Sequence, residues 1–296
     1  MSELLILSRA VHMGACLVLL SVFVVRLLIE RPATDAPGGR ALAFVCLGAA
    51  MGSGFLWLWA SIAGMSGSSL RDALNIQLFA LVLERTPPGQ IWVLRCMIGL
   101  LLGMTLGLAR WRGVWAIAAG FAAVFTGSIA WLGHAGASED GRRVVMLIAD
   151  VAHLMAVSAW PAGLVPFAIL LRRRANAAAW SEAHVDARCF SAMSLVAISV
   201  IAASGLVNSY FLVGSFHALA TTDYGRVLAI KLCLFAATAT LGGWNLFVHE
   251  PRMESDPAAL QAIRRKVWIE IALGALIVAA VAILGTLAPG SAPTGG

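Results

Sequence analysis

Residues 4–29, LLILSRAVHMGACLVLLSVFVVRLLI, decide the fold. Arg9 and Arg26 are the charged side chains in the run, and its apolar residues fall on every face of a helix instead of alternating. A helix rises 1.5 Å per residue, so this run is long enough for the ~30 Å of hydrocarbon in a bilayer. Backbone N–H and C=O groups in lipid must pair within their own segment or in a closed barrel. A barrel would show short strands of alternating polarity, so the run reads as a transmembrane helix. Met1 to Ser8 has no basic leader and no A-x-A-type site follows, so the segment is expected to be retained as a span.

Working outward, comparable runs lie at 40–64, 90–109, 113–134, 144–171, 188–213, 225–248 and 266–288, making about eight spans. The whole composition agrees. Of 296 residues 60% are hydrophobic and 12% charged, with a mean hydropathy of +0.87. A soluble domain carries ~25% charged residues, so a soluble globular fold is excluded. The expected class is an all-α polytopic membrane protein. Between the second and third spans, Leu70, Ala73, Leu74, Leu78, Leu81 and Val82 form an apolar stripe, opposite Arg71, Asp72, Asn75 and Gln77. The segment is expected to be a short helix, lying on the membrane surface or packed as a loop helix.

The net charge of +6 is unevenly placed. Arg31, Arg40, Arg110, Arg112, Arg172, Arg173, Arg174, Arg252, Arg264, Arg265 and Lys266 follow the odd-numbered spans, whereas the other side holds little beyond Arg71, Arg85, Arg142 and Arg143. The positive-inside rule then puts both termini outside the cytoplasm, and the charge needs no nucleic acid to explain it. Cys16, Cys46, Cys96, Cys189 and Cys233 form no C-x-x-C pair, which argues against a disulfide framework or a zinc site. The sequence contains no G-x-x-x-x-G-K-[ST] phosphate loop and no loop long enough for a catalytic domain, so neither ATP-driven pumping nor an enzyme is expected.

The second half echoes the first. Arg9-Ala10-Val11-His12 is matched by Asp150-Val151-Ala152-His153, and Ser53-Gly54-Phe55 by Ser204-Gly205-Leu206. Thr86, Gly89 and Arg95 recur at the same spacing as Thr222, Gly225 and Lys231, and Leu132-Gly133-His134 aligns with Leu284-Gly285-Thr286. Four matches in one order predict two four-span repeats, residues 1–143 and 144–296. An even number of crossings makes such repeats parallel, related by an approximate two-fold axis along the membrane normal. His12 and His153 are then equivalent, each ~12–14 Å below the outer surface at 1.5 Å per residue, and they could face one another.

Polar residues within spans are costly and point to function. On the fifth span Met146, Asp150 and His153 share one stripe by i, i+4, i+7 spacing, and on the first His12 and Cys16 share a face. His134 stands at the outer end of the fourth span. Sulfur ligands suit Cu(I), and imidazole accepts either copper oxidation state. A histidine within a span also serves simply to hydrogen-bond neighbouring helices, and methionines there are commonly packing residues.

Gly133-His134-Ala135, Asp150, His153-Leu154 and Trp160-x-x-Gly163-Leu164 together resemble the CopD copper-resistance family. Ser204-Gly205, Tyr224-Gly225-Arg226, Lys231-Leu232, Asn245, Glu270 and Leu284-Gly285-Thr286 follow in the family's order, as do His12, Thr86, Gly89, Trp92 and Arg95. The resemblance covers nearly the whole chain. It implies copper uptake from periplasm to cytoplasm across the bacterial inner membrane, beside a periplasmic carrier of the CopC type, with His12, His134 and His153 at the family's histidine positions. Pro161 and Ala162 stand where the family usually continues with paired glycines, and Leu246 where an arginine is usual.

The expected metal set is therefore His12, His134, His153, Asp150, Met146 and Cys16, with copper as the ion and Arg95, Lys231 and Glu270 in the gating or helix-pairing scaffold. The alternative is a b-type haem protein with His12 and His153 as axial ligands, since two histidines at one depth also suit bis-imidazole ligation. The HemJ-type protoporphyrinogen oxidases resemble this architecture in size and helical character.

Overall fold

The computed structural model describes residues 2–29, 37–108, 112–137, 141–173, 180–254 and 256–290. Those residues form helices joined by short turns, with no strand among them. The helices are α1 (Ser2–Leu28), α2 (Pro37–Ser66), α3 (Ile76–Arg85), α4 (Pro87–Gly107), α5 (Arg112–Gly127), α6 (His134–Ala137), α7 (Arg142–Ala159), α8 (Leu164–Arg173), α9 (Trp180–Val213), α10 (Phe216–Thr221), α11 (Asp223–Trp244) and α12 (Pro257–Leu284). Eight spans long and apolar enough to cross a membrane emerge: α1, α2, α4, α5 with its 3-10 extension, α7 with α8, α9, α11 with the turns after it, and α12.

α1 is the central element. It is apolar all round, as a helix surrounded by others must be, and it packs against α2, α5, α7, α8 and α12. Cys16, Leu19 and Phe23 of α1 join Ala43, Leu102, Trp115 and Phe125 in one buried cluster. Val25 and Ile29 join Trp160, Phe167, Leu171, Phe190 and Ile263 in a second. A clasp fastens α1 to the far end of the chain: Arg9 Nη1 donates to Gly285 O at 2.6 Å, at the C-terminus of α12, where helix carbonyls favour a cation.

Two local features depart from a simple reading of the spans. The fifth span is broken, because Pro161 has no N–H and its ring clashes with the carbonyl four residues back. Ala162 N–H takes over the Val157 carbonyl at 3.0 Å, and the chain turns through 160–163 before α8. Gly163 sits in that turn, where a Cβ would lie 2.1 Å from Ala159 O. The amphipathic segment after α2 starts its α-helix later than its stripe suggests. Asp72–Leu74 is a 3-10 turn, and Asn75 caps α3 by accepting from Gln77 N at 2.8 Å and Leu78 N at 3.4 Å. α3 packs on α4 through a cluster holding Leu78, Phe79 and Val82, while Ile76 and Leu81 stay exposed.

One device is used twice. Thr86 caps α4 by accepting from Gly89 N at 3.1 Å, and Thr222 caps α11 by accepting from Gly225 N at 3.0 Å. At Gly89 a Cβ would fall 2.0 Å from Val82 O, and at Gly225 2.3 Å from Leu219 O. Both glycines let a short helix fold tightly back onto the next span.

Candidate functional site

His12 is 1% exposed and walled by aromatic rings, with Trp92 and Trp57 at 5.3 and 5.5 Å between centroids, both edge-on. Its close approach to α2 needs Gly54, where a Cβ would lie 3.0 Å from the imidazole and 2.8 Å from Trp92. The ring's hydrogen bonds settle its tautomer. Ala50 O, 2.8 Å from Nδ1, can only accept, so Nδ1 carries the proton. Nε2 then accepts from Arg95 Nη2 at 2.6 Å. Both nitrogens of His12 are occupied.

Cys16 lies one turn along α1, its Sγ 3.7 Å from His12 Nε2 and 3.5 Å from Arg95 Nη2. Its carbonyl accepts from Thr126 Oγ1 of α5 at 3.1 Å, which fixes α1 against α5. Arg95, itself 1% exposed, also donates from Nη1 to Phe125 O at 2.6 Å and to Ser128 Oγ. It forms no ion pair with a carboxylate among the described residues, and its Nε has no partner. A guanidinium thus stands where an ion shared by His12 Nε2 and Cys16 Sγ would have to sit.

His153 on α7 is different. Ser204 Oγ donates to Val200 O at 2.6 Å, so it accepts from His153 Nδ1 at 2.9 Å. Nδ1 again carries the proton, but Nε2 has no hydrogen-bond partner among the described residues and the side chain is only half-buried. One turn before it, Asp150 Oδ1 accepts from Asn208 Nδ2 of α9 at 2.6 Å. Lys231 of α11 lies within Coulombic reach of both Asp150 and His153. Met146 is buried two turns from His153 on the same helix.

The expected ligands therefore divide into two groups. His12 and Cys16 meet on α1 under Arg95, while Asp150 and His153 are ordered by α9 beside Lys231. The backbone of His134 opens α6, but its side chain lies outside the described part of the structure. Among the described residues, no three His, Cys, Asp or Glu side chains converge as a ready-made metal cage. Sequence reasoning missed Arg95 as the partner of His12 and Cys16, Ser204 as that of His153, and Asn208 as that of Asp150. The doubled Ser-Gly pairs and the intramembrane Asn208 were the available signals.

Two family models match the chain, Copper resistance protein D-like, N-terminal domain, over residues 1–145 and Copper resistance protein D over residues 185–284. The chain belongs to the copper resistance protein D family. It is 28% identical over 221 residues to Copper resistance protein D of Pseudomonas syringae pv. tomato, covering 71% of each chain. It is 26% identical over 211 residues to Copper transport protein CutJ of Bacillus subtilis (strain 168), covering 69% of this chain and 38% of that protein. Inner membrane protein YebZ of Escherichia coli (strain K12) is 26% identical over 230 residues, covering 76% of this chain and 77% of that one. No solved structure matches. Neither the family names nor the occupied nitrogens of His12 support the haem alternative.

Proposed function

We propose that this member of the copper resistance protein D family carries copper across the bacterial inner membrane, from the periplasm inward. The observation that carries the proposal is His153 Nε2, a lone pair with no hydrogen-bond partner among the described residues, on the stripe that runs from Met146 through Asp150. Imidazole with a thioether and a carboxylate suits copper better than hard cations. The names of the Pseudomonas and Bacillus relatives support a copper cargo.

In this reading, copper enters near His134, is held by His153 with Met146 and Asp150 nearby, and passes to His12 and Cys16 when Arg95 withdraws. Ser204 holds the His153 tautomer that keeps Nε2 unprotonated, and Asn208 and Lys231 hold the Asp150 carboxylate in place. No catalytic step is needed. A periplasmic carrier of the CopC type would deliver the ion, both termini would lie on the periplasmic side, and residues 1–143 and 144–296 would be two parallel repeats. The paired Thr caps and the paired His–Ser/Gly contacts at His12 and His153 support that repeat.

The test is copper accumulation in cells, normalised to membrane-inserted protein. The intact chain should raise accumulation over cells lacking it, and His153→Ala should abolish the difference. Unchanged uptake per folded molecule in both His153→Ala and His12→Ala would sink the proposal, because histidines that merely pair helices lower abundance and not turnover.

A further inference from the structure

A second site lies away from the histidines. α9 packs chiefly on α7 and α11 chiefly on α12, which leaves a gap between α9 and the end of α11. There the chain makes a π-helical turn, Asn245–His249, of the kind that often marks functional positions. The result is a cavity of ≈ 260 Å³, walled largely by apolar side chains such as Trp160, Phe190 and Val267.

Its polar groups share one property. Glu270 is 1% exposed; Oε1 accepts from Asn245 Nδ2 at 2.7 Å, and Oε2 lies beside Gly242, where a Cβ would be 3.5 Å from it. A carboxylate oxygen can only accept, so the Asn245 amide must turn its nitrogen to Glu270, and its Oδ1 is left buried with no partner. Ser191 Oγ donates to Glu250 Oε2 at 2.5 Å, and Ser194 Oγ donates to Phe190 O at 2.8 Å. Apart from the Trp160 indole N–H and the second hydrogen of Asn245 Nδ2, the side-chain polar atoms on the wall have only lone pairs left to offer. Among the described residues, no Lys, Arg or His side chain lines the cavity.

Such a wall asks for a ligand that brings both donors and positive charge. Copper is a poor fit, because no Cys, Met or His among the described residues lines the cavity. A bare hard cation wants six or more oxygens around it, and this wall is mostly hydrocarbon. The volume lies near the lower end of small-molecule pockets, ~300–1,000 Å³. We propose that the cavity between α9, the end of α11 and α12 binds a protonated primary amine on a short apolar body, its ammonium held by Glu270 Oε2 and Asn245 Oδ1. Glu270 is one helical turn from Lys266, which meets His249 Nε2 at 2.9 Å. The cavity therefore lies beside the basic cluster Arg264–Lys266 of α12. The same chemistry is offered by the ethanolamine headgroup of a membrane lipid and by a soluble amine.

The test uses the full chain in nanodiscs of phosphatidylglycerol alone, titrated calorimetrically with hexylamine and with hexanol. Hexylamine should bind saturably at one site, and hexanol at least about tenfold more weakly, because charge-assisted hydrogen bonds are the stronger kind. Glu270→Gln keeps the shape and the Asn245 contact, and should weaken the amine by about tenfold or more. Gly242→Leu, which fills the floor of the cavity, should block it independently. Equal affinity for amine and alcohol, or amine binding intact in both variants, would overturn the site. Adding phosphatidylethanolamine to the discs identifies the source: competition with hexylamine assigns the lipid headgroup, and no competition assigns a soluble amine. Copper binding is read on the same samples as a separate quantity. Its absence from the intact protein would overturn the transport proposal and leave this one standing.

Discussion

His12 and His153 occupy matching places in the sequence but not matching chemical states. Each holds its proton on Nδ1, through Ala50 O in one case and Ser204 Oγ in the other. At His12 the remaining lone pair is taken by a buried guanidinium; at His153 it is open. His153→Ala should therefore lower the copper affinity of purified protein by more than the ~10–100-fold typical of losing a partner behind a ligand, read by competition with a Cu(I) chelator. Asp150→Asn, which touches the ion's surroundings through Asn208 and Lys231, should fall inside that range. Arg95 predicts the opposite sign. A like charge ~4 Å from a bound ion costs several kcal/mol at an effective dielectric of ~20. Arg95→Gln should tighten copper at His12 and Cys16 by at least about tenfold, an effect that His12→Ala in the same protein should erase. If Arg95→Gln leaves affinity where it was, the guanidinium is scaffold and not a gate.

At the scale of elements, the site depends on how closely helices approach. Gly54 lets α2 pass within contact of the imidazole, and a methyl group there would meet both Trp92 and His12 at 3.0 Å or less. Crowding of this kind in a packed interior costs ~1–3 kcal/mol. Gly54→Ala should lower the melting temperature in detergent and impair copper binding together. Gly52→Ala, two residues away with nothing within 4 Å, should leave both unharmed or slightly improved. The caps give a parallel comparison. Thr86→Ala and Thr222→Ala each remove one acceptor from a helix N-terminus, worth ~1 kcal/mol, and similar losses at both would show that the two folded-back entrances are equally important to stability.

For the whole molecule, α1 is the pivot, touching helices from both halves and tied to the end of α12 through Arg9 and Gly285. Motion that separates residues 1–143 from residues 144–296 would disturb that contact as well as the surroundings of His12. The proposed orientation of the bundle rests on the basic clusters at 172–174 and 264–266. Alkaline phosphatase fused after Gly296 should be active, and a fusion after Arg173 inactive; the reverse pattern would invert the proposed direction of entry.

The eight spans, their approximate ends and the polar residues inside them were legible in the sequence, because hydropathy over ~20 residues is a local property and lipid leaves the backbone no choice but a helix. The stripe Met146–Asp150–His153 was legible for the same reason, being a matter of helical period. What tertiary structure alone decided are the contacts between distant residues. Arg95 reaches His12 across 83 positions and Ser204 reaches His153 across 51. Hydropathy carries no information on which polar groups will meet, since helix pairing in a membrane follows shape and hydrogen bonding more than polarity. The two histidines therefore read as equals in the sequence, and only packing gave one a guanidinium and left the other its lone pair.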